Sequence, residues 1–100
     1  MTRARPPLAV GVPAALALSQ AVRLRTMRGD FAGAAQVAEE MFRSAHTVAA
    51  AESLTALHRR AGNLTAALQW VQEWKKLSPG AAAPVLEEAA LLQSAGREAD

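Results

Sequence analysis

The chain has 100 residues, of which 51% are hydrophobic and 20% charged, and these proportions are typical of one small folded domain rather than of a disordered chain. It contains two Phe, two Trp, no Tyr and no Cys, so disulfides and thiolate metal sites are excluded. Burial must come mostly from Ala, Leu and Val. The composition therefore predicts an all-α fold of closely packed helices.

Positive charge is concentrated at the start of the chain. Residues 1–28 hold five Arg and no acidic residue, which gives +5, whereas residues 29–100 hold six Lys or Arg against nine acidic residues, which gives −3. A high isoelectric point normally raises the expectation of nucleic-acid binding, but here the basic excess lies in the first quarter of the chain, at Arg3, Arg5, Arg23, Arg25 and Arg28. The charge pattern argues against a nucleic-acid partner without excluding it.

The N-terminal segment, residues 1–13, is basic and apolar and has two interpretations. The apolar run that begins at Leu8 can be a signal-peptide core, or the acid-free stretch an organellar transit peptide, in which case the chain is exported or organellar. Alternatively, Pro13 occupies the first turn of a helix that ends before Gly29, and the chain is cytoplasmic. A transmembrane span is not expected, because the run is about half of the ~20 residues required.

The hydrophobic pattern predicts five helices, at residues 14–28, 31–44, 48–61, 64–77 and 84–95. The breaks between and after them carry turn residues, at Gly29-Asp30, Gly62-Asn63, Ser78-Pro79-Gly80 and Gly96. Glycine accepts left-handed backbone dihedrals, and Asp or Asn after it can cap the next helix. No strand-like alternation bounded by hairpin signals occurs in the sequence.

Similar phrases recur along the chain at a fixed spacing. GDFAGAAQVAEEMFRSAH begins at Gly29, GNLTAALQWVQEWKKLSP begins at Gly62, and GREAD begins at Gly96, so the period is 33 to 34 residues. A repeat of this length, made of two helices and a turn, cannot bury its apolar face alone. The sequence therefore predicts stacked helical hairpins whose apolar faces are covered by their neighbours.

The pattern within these hairpins resembles the tetratricopeptide repeat signature, W-x2-L-G-x2-Y, then A-x3-F, then P. Leu54, Ala67 and Pro79 match it in the middle repeat, and Ala34 matches it in the first. The resemblance divides the helical region 14–100 into repeats at 15–47 and 48–81 and a partial repeat at 82–100. It implies a right-handed α-α superhelix, a solenoid that serves as a non-enzymatic scaffold for protein partners.

A second resemblance is to the pentatricopeptide RNA-binding repeats. The phrase AGNLTAAL from Ala61 to Leu68, and Glu40-Met41, are similar to phrases of that family. The repeat spacing is shorter than in that family, and no clear pair of polar base-reading residues is present. An RNA-binding repeat protein and a helical accessory region of an enzymatic or regulatory protein therefore remain as alternatives.

The tetratricopeptide resemblance implies where a partner binds, because the first helix of each hairpin lines a concave groove in that family. The residues at the corresponding positions are Ser19, Arg23, Thr26, Glu52, Ala56, Arg59, Leu86 and Gln93. They form a surface with small and apolar side chains and two arginines. We expect it to bind an extended peptide or a partner helix that carries an acidic residue between Arg23 and Arg59.

The sequence offers no catalytic, cofactor or metal motif. His46 and His58 have no His or carboxylate four residues away, and no phosphate-binding loop is present. We interpret His58 as an ordinary residue that packs against its neighbours or lies at the edge of the groove. Trp70 and Trp74, four residues apart on one helical face, are expected to contribute to the core.

The last predicted helix carries apolar residues that suit a covered rather than a terminal helix, and we expect it to expose Leu91 or Leu92. We therefore expect a segment of a longer array, or self-association through this C-terminal helix.

Overall fold

The computed structural model describes the backbone of residues 8–99 and the side-chain environments of residues 16–96. Five helices follow one another: α1 (Leu8–Met27), α2 (Phe31–Ser44), α3 (Val48–Arg60), α4 (Leu64–Leu77) and α5 (Ala82–Ala99). The described residues contain no strand. The predicted all-α class is confirmed.

Side-chain caps begin the three central helices. Asp30, Thr47 and Asn63 each accept a hydrogen bond from the backbone N–H three residues later, at 3.0, 3.1 and 3.2 Å respectively. Gly29 and Gly62, directly before two of these caps, have φ of 80° and 83°. A residue with a Cβ is disfavoured there, and the Gly-Asp and Gly-Asn pairs therefore turn the chain and start the next helix.

Helix α1 begins at Leu8, about six residues earlier than predicted. Pro13 therefore lies inside the helix rather than in its first turn. A proline at that position removes one backbone hydrogen bond and crowds the carbonyl of Ala9, a cost that the helix formers Leu8 and Ala9 offset only in part. Residues 1–7, which include most of the predicted N-terminal segment, lie outside the described residues.

The predicted turn at Gly96 is wrong, because α5 continues through it to Ala99. Gly96 is not among the glycines with positive φ. Unlike Gly29 and Gly62, it is followed by Arg97, which cannot cap a new helix as Asp or Asn does. A single glycine inside a helix costs only about 1 kcal/mol relative to alanine, so the neighbouring helix formers carry the helix through it.

The helices are arranged in two layers. Consecutive helices pack on one another, and the Cα atoms span 67 × 32 × 15 Å. Phe42 of α2 contacts Trp70 of α4 edge to face, with ring centroids 4.9 Å apart. Arg59 of α3 donates to Glu87 of α5 at 2.5 Å. Helices α2 and α4 therefore lie side by side in one layer, and α3 and α5 in the other.

Alanine dominates the core between these layers. The buried apolar residues are Ala34, Ala35, Ala38, Phe42, Ala50, Ala51, Leu54, Leu57, Ala67, Val71, Trp74 and Leu91. Trp70 is half-buried and packs against this core, as expected for the two tryptophans. The buried hydroxyl of Thr55 donates to the carbonyl of Ala51 at 2.9 Å, so it adds no unsatisfied polar group. Small side chains at the contact let the helices approach closely.

Enlarging one of these alanines should destabilise the fold. We expect Ala67→Leu to lower the free energy of unfolding by about 1–3 kcal/mol, because Ala67 is fully buried and has no space for added atoms. The matched control is Ala66→Leu, since Ala66 is only half-buried and its side chain points one step around α4. Urea unfolding should show the larger loss for Ala67→Leu, and equal stability of the two variants would contradict this packing.

Candidate partner groove

An open cavity of about 560 Å³ lies among α1, α2, α3 and the turn between α2 and α3. It is lined by Leu18, Ser19, Val22, Ala38, Met41, Ser44, Ala45, Thr47, Ala49, Ala50 and Ser53. All of these side chains are apolar or carry a hydroxyl group, and none is titratable. The cavity is therefore a recess without formal charge.

Small residues on α3 leave this space open. Ala49 and Ser53 are four residues apart on the exposed side of that helix, so they lie above one another. Ala38 and Ala50 are buried beneath them and provide little volume. Met41 of α2 is the long flexible side chain in the lining, at a position where the tetratricopeptide pattern usually has a small residue.

The hydroxyl groups of the lining are partly occupied by local hydrogen bonds. Ser44 donates to the carbonyl of Glu40 at 3.3 Å, and the hydroxyl oxygen of Thr47 accepts from the N–H of Ala50 at 3.1 Å. Such side-chain bonds to nearby backbone satisfy polar groups without a ligand. The wall accordingly offers mainly apolar contact, with Ser19 and Ser53 as further hydroxyl groups.

Of the eight predicted groove residues, the structure places Ser19 in the cavity wall. Arg23, Glu52, Ala56, Arg59, Leu86 and Gln93 are exposed, and Thr26 is half-buried. The hydroxyl of Thr26 donates to the carbonyl of Val22 at 2.7 Å. The prediction used only the first helix of each hairpin, and it therefore did not include the cavity-lining residues of α2 and of the α2–α3 turn. Met41 of α2 is the residue in the sequence that could have indicated them.

The two arginines of the predicted groove have different surroundings. Arg59 makes an ion pair with Glu87, and its guanidinium is therefore already engaged by an acidic side chain. Arg23 lies four residues after Ser19 on α1 and is exposed. A third arginine, Arg60, stacks over the ring of Phe31 at 4.5 Å from its centroid, a cation–π contact.

His58 packs between α2 and α3. Its side chain is 13% exposed, and its Nε2 lies 3.6 Å from a carboxylate oxygen of Glu39, beyond hydrogen-bond distance. His46 instead contacts the ring of Phe42 edge to face, with centroids 4.5 Å apart. Over residues 8–99, no group of three or more His, Asp or Glu side chains is placed to hold a metal ion.

The geometry defines an all-α protein of layered helical hairpins with an uncharged cavity on one side. No protein-family model matches the chain, nor does any curated protein or solved structure. The tetratricopeptide and pentatricopeptide resemblances therefore stay predictions from the residue pattern. Among the helices of residues 8–99, none has the length and apolar character needed to cross a membrane.

Glu88 attaches α5 to α4. Its carboxylate accepts hydrogen bonds from the ammonium of Lys75 at 2.8 Å and from the amide of Gln72 at 2.6 Å. The bond from Lys75, followed by that from Gln72, holds the pKa of Glu88 below its ordinary value. Because the folded state binds this proton less well than the unfolded state, the ionised carboxylate stabilises the docked α5.

This contribution should depend on pH in a defined direction. It is fully present above the ordinary pKa of about 4.5 and is lost as the pH falls through the lowered value. We therefore expect the difference in Tm between wild type and Glu88→Gln to be largest near neutral pH and to shrink below about pH 4.5. Glu73→Gln is the control, since its partner Lys76 is on the same helix and exposed, and this pair should contribute little. A difference for Glu88→Gln that stays constant down to strong acid would contradict the assignment.

Proposed function

We propose that the chain is a non-enzymatic protein-interaction module, a right-handed tetratricopeptide-like solenoid that binds a peptide or partner helix in its groove. The observation that carries this proposal is the open, uncharged cavity of about 560 Å³ between α1, α2 and α3. Its volume lies within the range of about 300–1,000 Å³ that is common for ligand sites. The lining has no acid, base or nucleophile pair, so no catalytic step is proposed.

The partner's anchor is an apolar side chain. The cavity wall offers apolar contact together with hydroxyl groups, two of which already form hydrogen bonds with the backbone of residues three or four positions away. An apolar side chain loses no hydrogen bonds to water when it enters such a site, whereas a charged one would be desolvated without a counter-charge. A leucine-like anchor on an extended segment or on one face of a helix fits these conditions.

An acidic residue of the partner is expected to lie near Arg23. This arginine follows the cavity-lining Ser19 by one helical turn, so the two side chains share a face of α1. Arg59 is a poorer candidate, because an incoming carboxylate would compete with Glu87 for it. We therefore propose Arg23 alone, rather than an Arg23–Arg59 bridge, as the charge contact with the partner.

The aromatic residues favour a protein partner over RNA. Single-stranded RNA is normally held by exposed aromatic rings on which bases stack. Here Phe42 and Trp74 are buried, Trp70 is half-buried against Phe42, and half-buried Phe31 lies under Arg60. All four aromatic side chains are therefore engaged inside the fold. We also propose that this protein-binding chain is located in the cytoplasm.

Filling the cavity should abolish peptide binding. We would select binders from a displayed random peptide library and measure their affinity by titration calorimetry. Ala49→Phe is expected to weaken the selected peptides at least about tenfold, which corresponds to 1.4 kcal/mol, because the new ring occupies the anchor site. Ala32→Phe is the control, since Ala32 is exposed on α2 and outside the cavity lining. Equal affinities for both variants would place the binding site elsewhere.

Reversing the charge of Arg23 tests the acidic preference. Arg23→Glu should weaken acidic peptides by more than the roughly 0–1 kcal/mol of an exposed ion pair if the bound peptide excludes water there. Arg43→Glu, at an exposed position near the end of α2, should have little effect. A mixed-sequence single-stranded RNA is titrated in parallel. Salt-sensitive RNA binding that Arg23→Glu removes, with no peptide binding, would support the RNA-binding alternative instead.

A further inference from the structure

Helix α5 has an exposed apolar face on the side away from the core. Leu91 and Pro84 pack inward, whereas Val85 is 52% exposed, Leu92 is 56% exposed and Leu86 is 68% exposed. Large apolar side chains scattered singly on a surface are normal. Val85 and Leu92, seven residues apart, lie on the same side of the helix, and Leu86 flanks them.

The exposed face has the spacing of a coiled-coil seam. Ala82, Val85, Ala89, Leu92 and Gly96 are separated by three, four, three and four residues, and all five are exposed. This is the spacing of positions a and d in a heptad, which keeps one stripe facing a partner helix. In this seam, small residues alternate with large ones, with Ala or Gly at a and Val or Leu at d.

This alternation is self-complementary in one orientation. When two copies of α5 run antiparallel about a twofold axis at the helix midpoint, between residues 90 and 91, Val85 meets Gly96 of the second copy and Ala89 meets Leu92. Each large side chain then faces a small one, and the helices can approach closely. In a parallel pair, Leu92 would face Leu92, and Ala89 would face Ala89, which leaves space between the helices.

Charge does not oppose this pairing. Among residues 82–96 the acidic side chains are Glu87 and Glu88, and these pair with Arg59 and Lys75 of the same chain. In the antiparallel register, Glu88 lies level with Gln93 of the second copy rather than with its Glu88. Like charges therefore do not oppose each other across the seam, and the face is compatible with pairing to an identical face.

We propose that two copies of the chain associate through α5, as an antiparallel pair of helices with the twofold axis at the helix midpoint. This interface is separate from the cavity between α1, α2 and α3, so the dimer does not depend on the proposed peptide binding. An experiment that disproves the dimer therefore leaves the groove proposal untouched, and the reverse also holds.

Sedimentation velocity of the full chain over a range of concentrations tests the association. We expect wild type to form a dimer and Leu92→Glu to raise the dissociation constant at least about tenfold, with unchanged helical circular dichroism because Leu92 is exposed. Leu24→Glu, a matched change at an exposed leucine on α1, should leave the dimer intact. A wild-type monomer at all concentrations, or a dimer that Leu24→Glu disrupts and Leu92→Glu does not, would overturn the proposal.

Gly96→Leu separates an effect on the interface from damage to the fold. A Cβ at Gly96 would meet no atom of its own chain within 4 Å, so the monomer has room there. In the antiparallel pair, the added side chain collides with Val85 of the second copy. We expect a weaker dimer with undiminished thermal stability of the monomer, and an unchanged dimer would contradict the register.

The absence of native cysteine allows a direct test of orientation. Val85→Cys and Gly96→Cys, which face each other in the antiparallel register but lie far from their own copies, are prepared separately, mixed and treated with a short thiol-specific crosslinker. The antiparallel pair predicts products that join the two different variants, identified by mass. Products that join each variant mainly to itself would show a parallel pair and overturn the proposed geometry.

Discussion

Close approach of helices at alanine is the constraint on which the rest of this structure depends. Six of the buried core residues in the described part of the chain are alanines, at Ala34, Ala35, Ala38, Ala50, Ala51 and Ala67. With so few large side chains, the chain can bury its backbone only by bringing helices near to one another. Added volume at these positions has no space to occupy. The Phe42–Trp70 contact supplies the bulk where α2 and α4 meet.

The same shortage of bulk explains the cavity. On α3, Ala49 and Ser53 lie on the side toward α1, and neither is large enough to fill the space between these helices. Because these side chains are small, a recess stays open between α1 and α3. The recess is uncharged because none of its lining residues is titratable, and the Arg59–Glu87 ion pair lies outside it. Packing and the proposed binding function therefore have one physical origin.

Much of the fold could be predicted from the sequence, because local chemistry sets the helix ends. The Gly-Asp and Gly-Asn pairs at residues 29–30 and 62–63 combine a positive φ with a capping side chain. The predicted turn at Gly96 is wrong because no capping residue follows this glycine. The cavity was predicted only at Ser19, since its other walls depend on how α2 lies against α1 and α3. His58–Glu39 likewise joins residues on different helices, and no spacing along one helix reveals it.

The central claim is that alternate helices share a layer, with α2 beside α4. Proton NMR of the chain can measure this through nuclear Overhauser effects between the rings of Phe42 and Trp70, whose centroids are 4.9 Å apart. The structure predicts strong cross-peaks between these two rings, which are 28 positions apart in the sequence. A fully helical chain without those cross-peaks would contradict the layered arrangement of the helices.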